Sequence, residues 1–107
     1  MTRGTPQTVA GLDPEQTRNA ATIVEVGREL GVPERGLVVA LATAMQESGI
    51  RNLDYGDRDS LGLFQQRPVS GWGTPAEIRD PAAATRRTVA RRPTSVRRLA
   101  SAARALV

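Results

Sequence analysis

The chain has 107 residues, 39% of them hydrophobic, which is enough for one small domain with a modest core. It contains no cysteine and no histidine, which excludes a disulfide framework, a thiolate metal centre and any Ser-His-Asp or Cys-His mechanism built from this chain alone, so acid-base chemistry falls to carboxylates. The net charge of +4 is unevenly placed: residues 1–80 hold 8 arginines against all 11 acidic residues, a net of −3, whereas residues 81–107 hold 7 arginines and no acid.

The amino-terminal residues, 1–12, are polar and punctuated by Gly4, Pro6 and Gly11, and predict a loose arm. Asp13 followed by Pro14, with Gln16 three residues after the cap, marks a helix start. Ala20, Ile23, Val24, Gly27 and Leu30 recur at helical spacing and Gly31 supplies a stop, so the first helix spans about 13–30. Pro33 and Glu34 open a second helix whose apolar face is expected to be Leu37, Val38, Leu41, Ala42 and Met45; it ends near Ser48 and Gly49, leaving Glu47 in the last turn. The polar segment RNLDYGDRDS (51–60) predicts a loop or short hairpin, and Leu61, Leu63 and Phe64 are the next core candidates. After the loop at 65–75, a short helix is expected from Thr74 or Pro75, and Asp80-Pro81 repeats the cap signal for a helix through Arg92. Pro93 interrupts, and Val96, Leu99, Ala100 and Ala103 give a last amphipathic pattern with a basic face. No apolar stretch reaches the roughly 18 residues of a membrane span, and MTRGTPQTVAG lacks the apolar core of a secretory signal.

Glu47 carries the chemistry of this pattern. A carboxylate at the carboxyl end of an apolar helix is in an electrostatically poor place, because the helix dipole and apolar surroundings both disfavour its charged form. A carboxyl kept protonated in a water-poor groove is what acid-catalysed glycosidic cleavage requires. The plain alternative is a surface glutamate in a helix's last turn.

Three anchors stand in order: Glu47-Ser48 ending an apolar helix, the turn Gly56-Asp57-Arg58, and Gly62-Leu63-Phe64-Gln65. With these the chain resembles the lysozyme-like domain shared by soluble lytic transglycosylases and goose-type lysozymes, in a version found in actinobacterial cell-wall proteins, over residues 13–84. The resemblance implies an all-α architecture, namely the amino-terminal portion of a lysozyme-like fold (13–85) followed by a basic, Arg/Ala-rich helical tail (86–107). It also implies cleavage of peptidoglycan glycan strands, with Glu47 as general acid and then base, Ser48 and Asp57 as auxiliaries, and a saccharide cleft walled by Gly62, Leu63, Phe64 and Gln65. Peptidoglycan would be the partner, at the cell wall or outside the cell, and no metal or cofactor is implied; a monomer is expected.

Two departures qualify this. Where goose-type enzymes are similar in placing an Asp two residues after the Gln, this chain has Arg67, which favours transglycosylase-like chemistry by the substrate's own hydroxyl, or an inactive domain. After Thr85 the sequence matches nothing in the family pattern and has no aromatic, so the fold is expected to be truncated.

The remaining candidates stay open between roles. Tyr55 and Trp72 lie in glycine-flanked polar segments and suit stacking on sugar faces, though Trp72 equally suits plugging a small core, and Phe64 suits packing more than ligand contact. Asp54, Asp57 and Asp59 suit a solvated acidic turn, a cation site or the source of a second carboxylate for a two-carboxylate glycosidase; a calcium loop counted from Asp57 fails because Leu61 and Pro68 occupy ligand positions. The Arg pairs at 86–87, 91–92 and 97–98 suit an anionic polymer, be it nucleic acid, wall polymer or lipid headgroups, or simply a solvated tail. The competing functions are therefore a non-catalytic glycan-binding remnant and a basic interaction module acting through residues 86–107.

Overall fold

The computed structural model of the chain describes residues 11–91, which form an all-α arrangement of four helices, one 3-10 turn and a single antiparallel bridge between Leu61 and Gln66. The loose arm as far as residue 10 and the last amphipathic pattern around Val96 to Ala103 lie outside the described residues. No described helix is long and apolar enough to cross a membrane.

Helix α1 (Pro14–Glu29) begins as its sequence dictates. Asp13 Oδ1 accepts from the Gln16 amide at 2.9 Å and Gln16 Oε1 accepts from the Asp13 amide at 3.0 Å. This reciprocal box satisfies two donors that a helix start otherwise leaves bare, and a cap of this kind is worth about 1 kcal/mol. The helix buries Asn19, Ile23, Val26 and Gly27, whereas Leu30, expected on the same face, is exposed at the C-cap.

Helix α2 (Glu34–Ser48) buries a different face from the one its pattern selects. Leu37 is buried as expected and Leu41 is partly so, but Val38 and Met45 are 55% and 44% exposed and Ala42 is exposed. The buried side is Gly36, Leu37, Val39, Ala40 and Ala44. Residues 37–45 are apolar around most of the helix, so hydrophobicity alone does not set the phase. The small residues decide it: Ala40 and Ala44 leave room for Ile23, Leu63 and Phe64 in one core cluster with Ile50 and Ala84. Gly27 serves the same end on α1, since a Cβ there would lie 2.3 Å from Leu37 Cδ2.

Helix α3 (Pro75–Ile78) is a single turn capped by a Thr74–Glu77 box, and helix α4 (Pro81–Arg91) starts at Asp80, whose Oδ1 accepts from the amides of Ala82 and Ala83. Helix α1 packs against α2 and α4, and α3 against α4. Helix α4 runs without a break past residue 85, and the Arg87 guanidinium pairs with Glu77 at 3.1 Å.

Candidate functional site

The last turn of α2 and the chain that follows share the Ser48 hydroxyl as a common hydrogen-bonding group. Ser48 Oγ donates to the Leu63 carbonyl at 2.7 Å and accepts from the Arg51 amide at 3.1 Å, with the Ala44 carbonyl also within 3.1 Å. Helix α2 ends at Gly49 in the left-handed region, and Ile50 follows with φ 57. A β-branched residue in that conformation costs roughly 1–2 kcal/mol. The surroundings hold it there: its side chain is in the core, its amide donates to Ala44 O at 3.2 Å, and its carbonyl accepts from Asn19 Nδ2 at 3.0 Å.

Residues 49–51 are stitched to the first turns of α1. Gln16 Nε2 donates to Gly49 O at 2.8 Å, and the Arg51 guanidinium spans Asp13 and Glu15, the latter at 2.9 Å. The amide of Gln16 together with this guanidinium holds the Asp13 carboxyl below its ordinary range, and the Asp13 carboxylate in turn pushes Arg51 up. Sequence reasoning did not identify Arg51, Asn19 or the second role of Gln16. The unmatched acids of the first turn were the available signal, but a separation of 36 to 38 residues offers no local spacing to read.

The Gly62–Gln65 segment turns tightly beneath α3. Gly62 has φ 81, and a Cβ on it would lie 2.7 Å from the Ile78 carbonyl, so both backbone conformation and space restrict this position to glycine. Leu63 and Phe64 are buried in the core cluster, as their place among the core candidates suggests, so they support the segment from behind where the resemblance implies a cleft wall. Gln65, with φ 48, donates through Nε2 to the Tyr55 and Gly62 carbonyls, both at 3.2 Å, so its amide group binds its own loop together.

The exposed side chains near this turn are polar or amphipathic. Tyr55 is 67% exposed, and Asp54, Asp57 and Arg58 are exposed with it. Glu47 is exposed too, along with Met45 and Gln46, because the packing over α2 stops at Ala44. The water-poor groove expected around the Glu47 carboxyl is therefore not formed by the described residues. The neighbouring Ser48 is tied to the Gly62–Gln65 segment through the hydrogen bond to the Leu63 carbonyl. Trp72, expected either on a sugar face or in the core, is buried in the core.

Arg67, which stands where an Asp was sought, forms an ion pair with Asp59, and this hydrogen bond holds the Asp59 carboxyl below its ordinary range. Position 67 thus contributes a structural cation. Glu77 is likewise held low, first by the Thr74 amide and then by Arg87. The Glu47, Tyr55 and Asp57 side chains are all exposed, and hydrogen bonds from Ser48 to the Leu63 carbonyl and from Gln65 to the Tyr55 carbonyl tie the end of α2 and the Tyr55 loop to the Gly62–Gln65 segment. No family model matches the chain, and no curated protein or solved structure shows significant similarity to it.

Proposed function

We propose that this chain acts on the glycan strands of peptidoglycan through the surface formed by Glu47, Tyr55 and Asp57, as a partial lysozyme-like domain. The observation that supports the reading is the Ser48–Leu63 hydrogen bond, which ties the helix end that carries the exposed Glu47 to the Gly62–Gln65 turn. In this reading Glu47 gives its proton to the glycosidic oxygen as the bond to the anomeric carbon breaks. The resulting carboxylate then takes the proton from the substrate's own hydroxyl as that oxygen closes on the same carbon, so one acid-base group serves both halves. Tyr55 offers a flat amphipathic face to a sugar ring, and Asp57 adds negative charge that favours an electron-poor anomeric centre. Since the free chain leaves Glu47 open, exclusion of water has to come from the bound strand.

That same exposure favours a second reading, in which the surface binds glycan without cleaving it. Turbidity of a purified cell-wall suspension, followed with wild type beside Glu47→Gln, separates the two. Clearing by wild type and not by Glu47→Gln supports cleavage, whereas equal rates, or none from either, removes it. Co-sedimentation with the same wall preparation then tests binding alone, and no sedimentation of either protein removes both readings.

A further inference from the structure

Helix α2 presents an apolar stripe that is largely exposed, with only Leu41 packed in part against the core. Val38, Leu41, Ala42 and Met45 stand at i, i+3, i+4 and i+7, the spacing of a helix face built to be packed upon. Val38, Ala42 and Met45 are exposed and Leu41 is only partly buried. The stripe lies away from Gly36, Ala40 and Ala44, which face the core.

We propose that this stripe is the docking face for the carboxyl-terminal segment 92–107 of the same chain. In that segment Val96, Leu99, Ala100 and Ala103 repeat the i, i+3, i+4, i+7 spacing. An apolar stripe of that spacing is about 10 Å long on a helix of 1.5 Å rise, matching the distance from Val38 to Met45. The segment has four arginines and no acid, whereas residues 11–91 hold all 11 acidic residues against 10 arginines. At the α2 start, exposed Glu34 is met only loosely by Arg28 at 3.8 Å. Tethering favours this occupant over a second copy. Four side chains fall far short of the about 20–30 residues a side that a standard interface engages. A segment joined directly to α4 docks within one chain and avoids most of the cost of association.

The test uses the full chain, uniformly labelled with nitrogen-15 and dilute, bearing a nitroxide at Gln46→Cys, an exposed position beside Ala42 and Met45. A second sample places the nitroxide at Arg35→Cys, next to the other end of the stripe. Both positions are exposed, so the packed face is untouched. The amide signals of residues 96–103 are expected to lose more than half their intensity relative to the reduced nitroxide, and to recover when Leu99→Asp is added. Unattenuated signals with both labels overturn the proposal, as does attenuation that survives Leu99→Asp. Attenuation in a mixture of nitroxide-bearing unlabelled chain and nitrogen-15 chain without nitroxide assigns the stripe to a second copy and overturns it as well.

Discussion

Replacing Ser48 by alanine removes the hydroxyl that hydrogen-bonds the end of α2 to the Gly62–Gln65 segment, and the cost can be worked from its bonds. The hydroxyl's donation to Leu63 O and its acceptance from the Arg51 amide are both lost. Each such bond nets about 1 kcal/mol, and an orphaned buried carbonyl carries a penalty of about 1–3 kcal/mol. The Ala44 carbonyl loses little, because it still accepts from Ile50 N at 3.2 Å. Alanine's better helix propensity returns a few tenths of a kcal/mol. The net loss is roughly 1.5–3 kcal/mol, a large part of the about 4–12 kcal/mol expected for some 80 residues, and a fall in Tm of at least about 6 °C. Urea unfolding at equilibrium measures it, with Thr43→Ala as the control, since Thr43 Oγ1 donates only to Val39 O within its own helix, at 2.8 Å. If Ser48→Ala and Thr43→Ala agree within about 0.5 kcal/mol, the claim that this hydroxyl ties the end of α2 to the Gly62–Gln65 segment is wrong.

Gly62→Ala should destabilise by more than about 2 kcal/mol, combining a left-handed backbone with a Cβ 2.7 Å from Ile78 O. Gly11→Ala, at φ 85 with nothing within 4 Å, should cost about 1 kcal/mol, and equal urea midpoints for the two would show that crowding at Gly62 is unimportant. Acid should destabilise the fold: Asp13, Asp59 and Glu77 all have native pKa values lowered from the ordinary 3.8, 3.8 and 4.5. The unfolded chain therefore binds more protons in this range, so the stability from these groups is complete above the ordinary values and is lost as pH falls through the native ones. Asp13→Asn should flatten the dependence of the urea midpoint on pH below about 5, and an unchanged slope would count against the Arg51 clamp as its source. Tyr55→Ala should leave stability within about 0.5 kcal/mol while weakening sedimentation with purified cell wall; retained binding would remove the ring from the proposed surface.

The helices were legible wherever local chemistry fixes them. Asp13-Pro14-Gln16, Thr74-Pro75 and Asp80-Pro81 each mark a start that the structure keeps, because capping acts within four residues. The phase of α2 was not legible, since a segment apolar on nearly every side leaves the choice to the fit of Ala40 and Ala44 against distant residues. The same limit applies around the candidate site. The proximity of Ser48 to the Gly62–Gln65 turn follows the motif order, whereas the exposure of Glu47 depends on where packing over α2 stops, and the burial of Trp72 depends on the residues around it. The Asp59 pairing with Arg67 is eight residues apart across a turn, a relation that no periodic pattern encodes.

The stitching of α1 to residues 49–51 also sets how the molecule opens. A helix at the start of a chain ordinarily frays from its free end at little cost. Here Asp13, Glu15, Gln16 and Asn19 all hold residues 49–51, so loosening those first turns releases the end of α2 in the same event. Amides of the first two turns and of residues 49–53 should therefore exchange with solvent deuterium at a common rate, so that the amino-terminal helix and the region beside Glu47 behave as one cooperative unit.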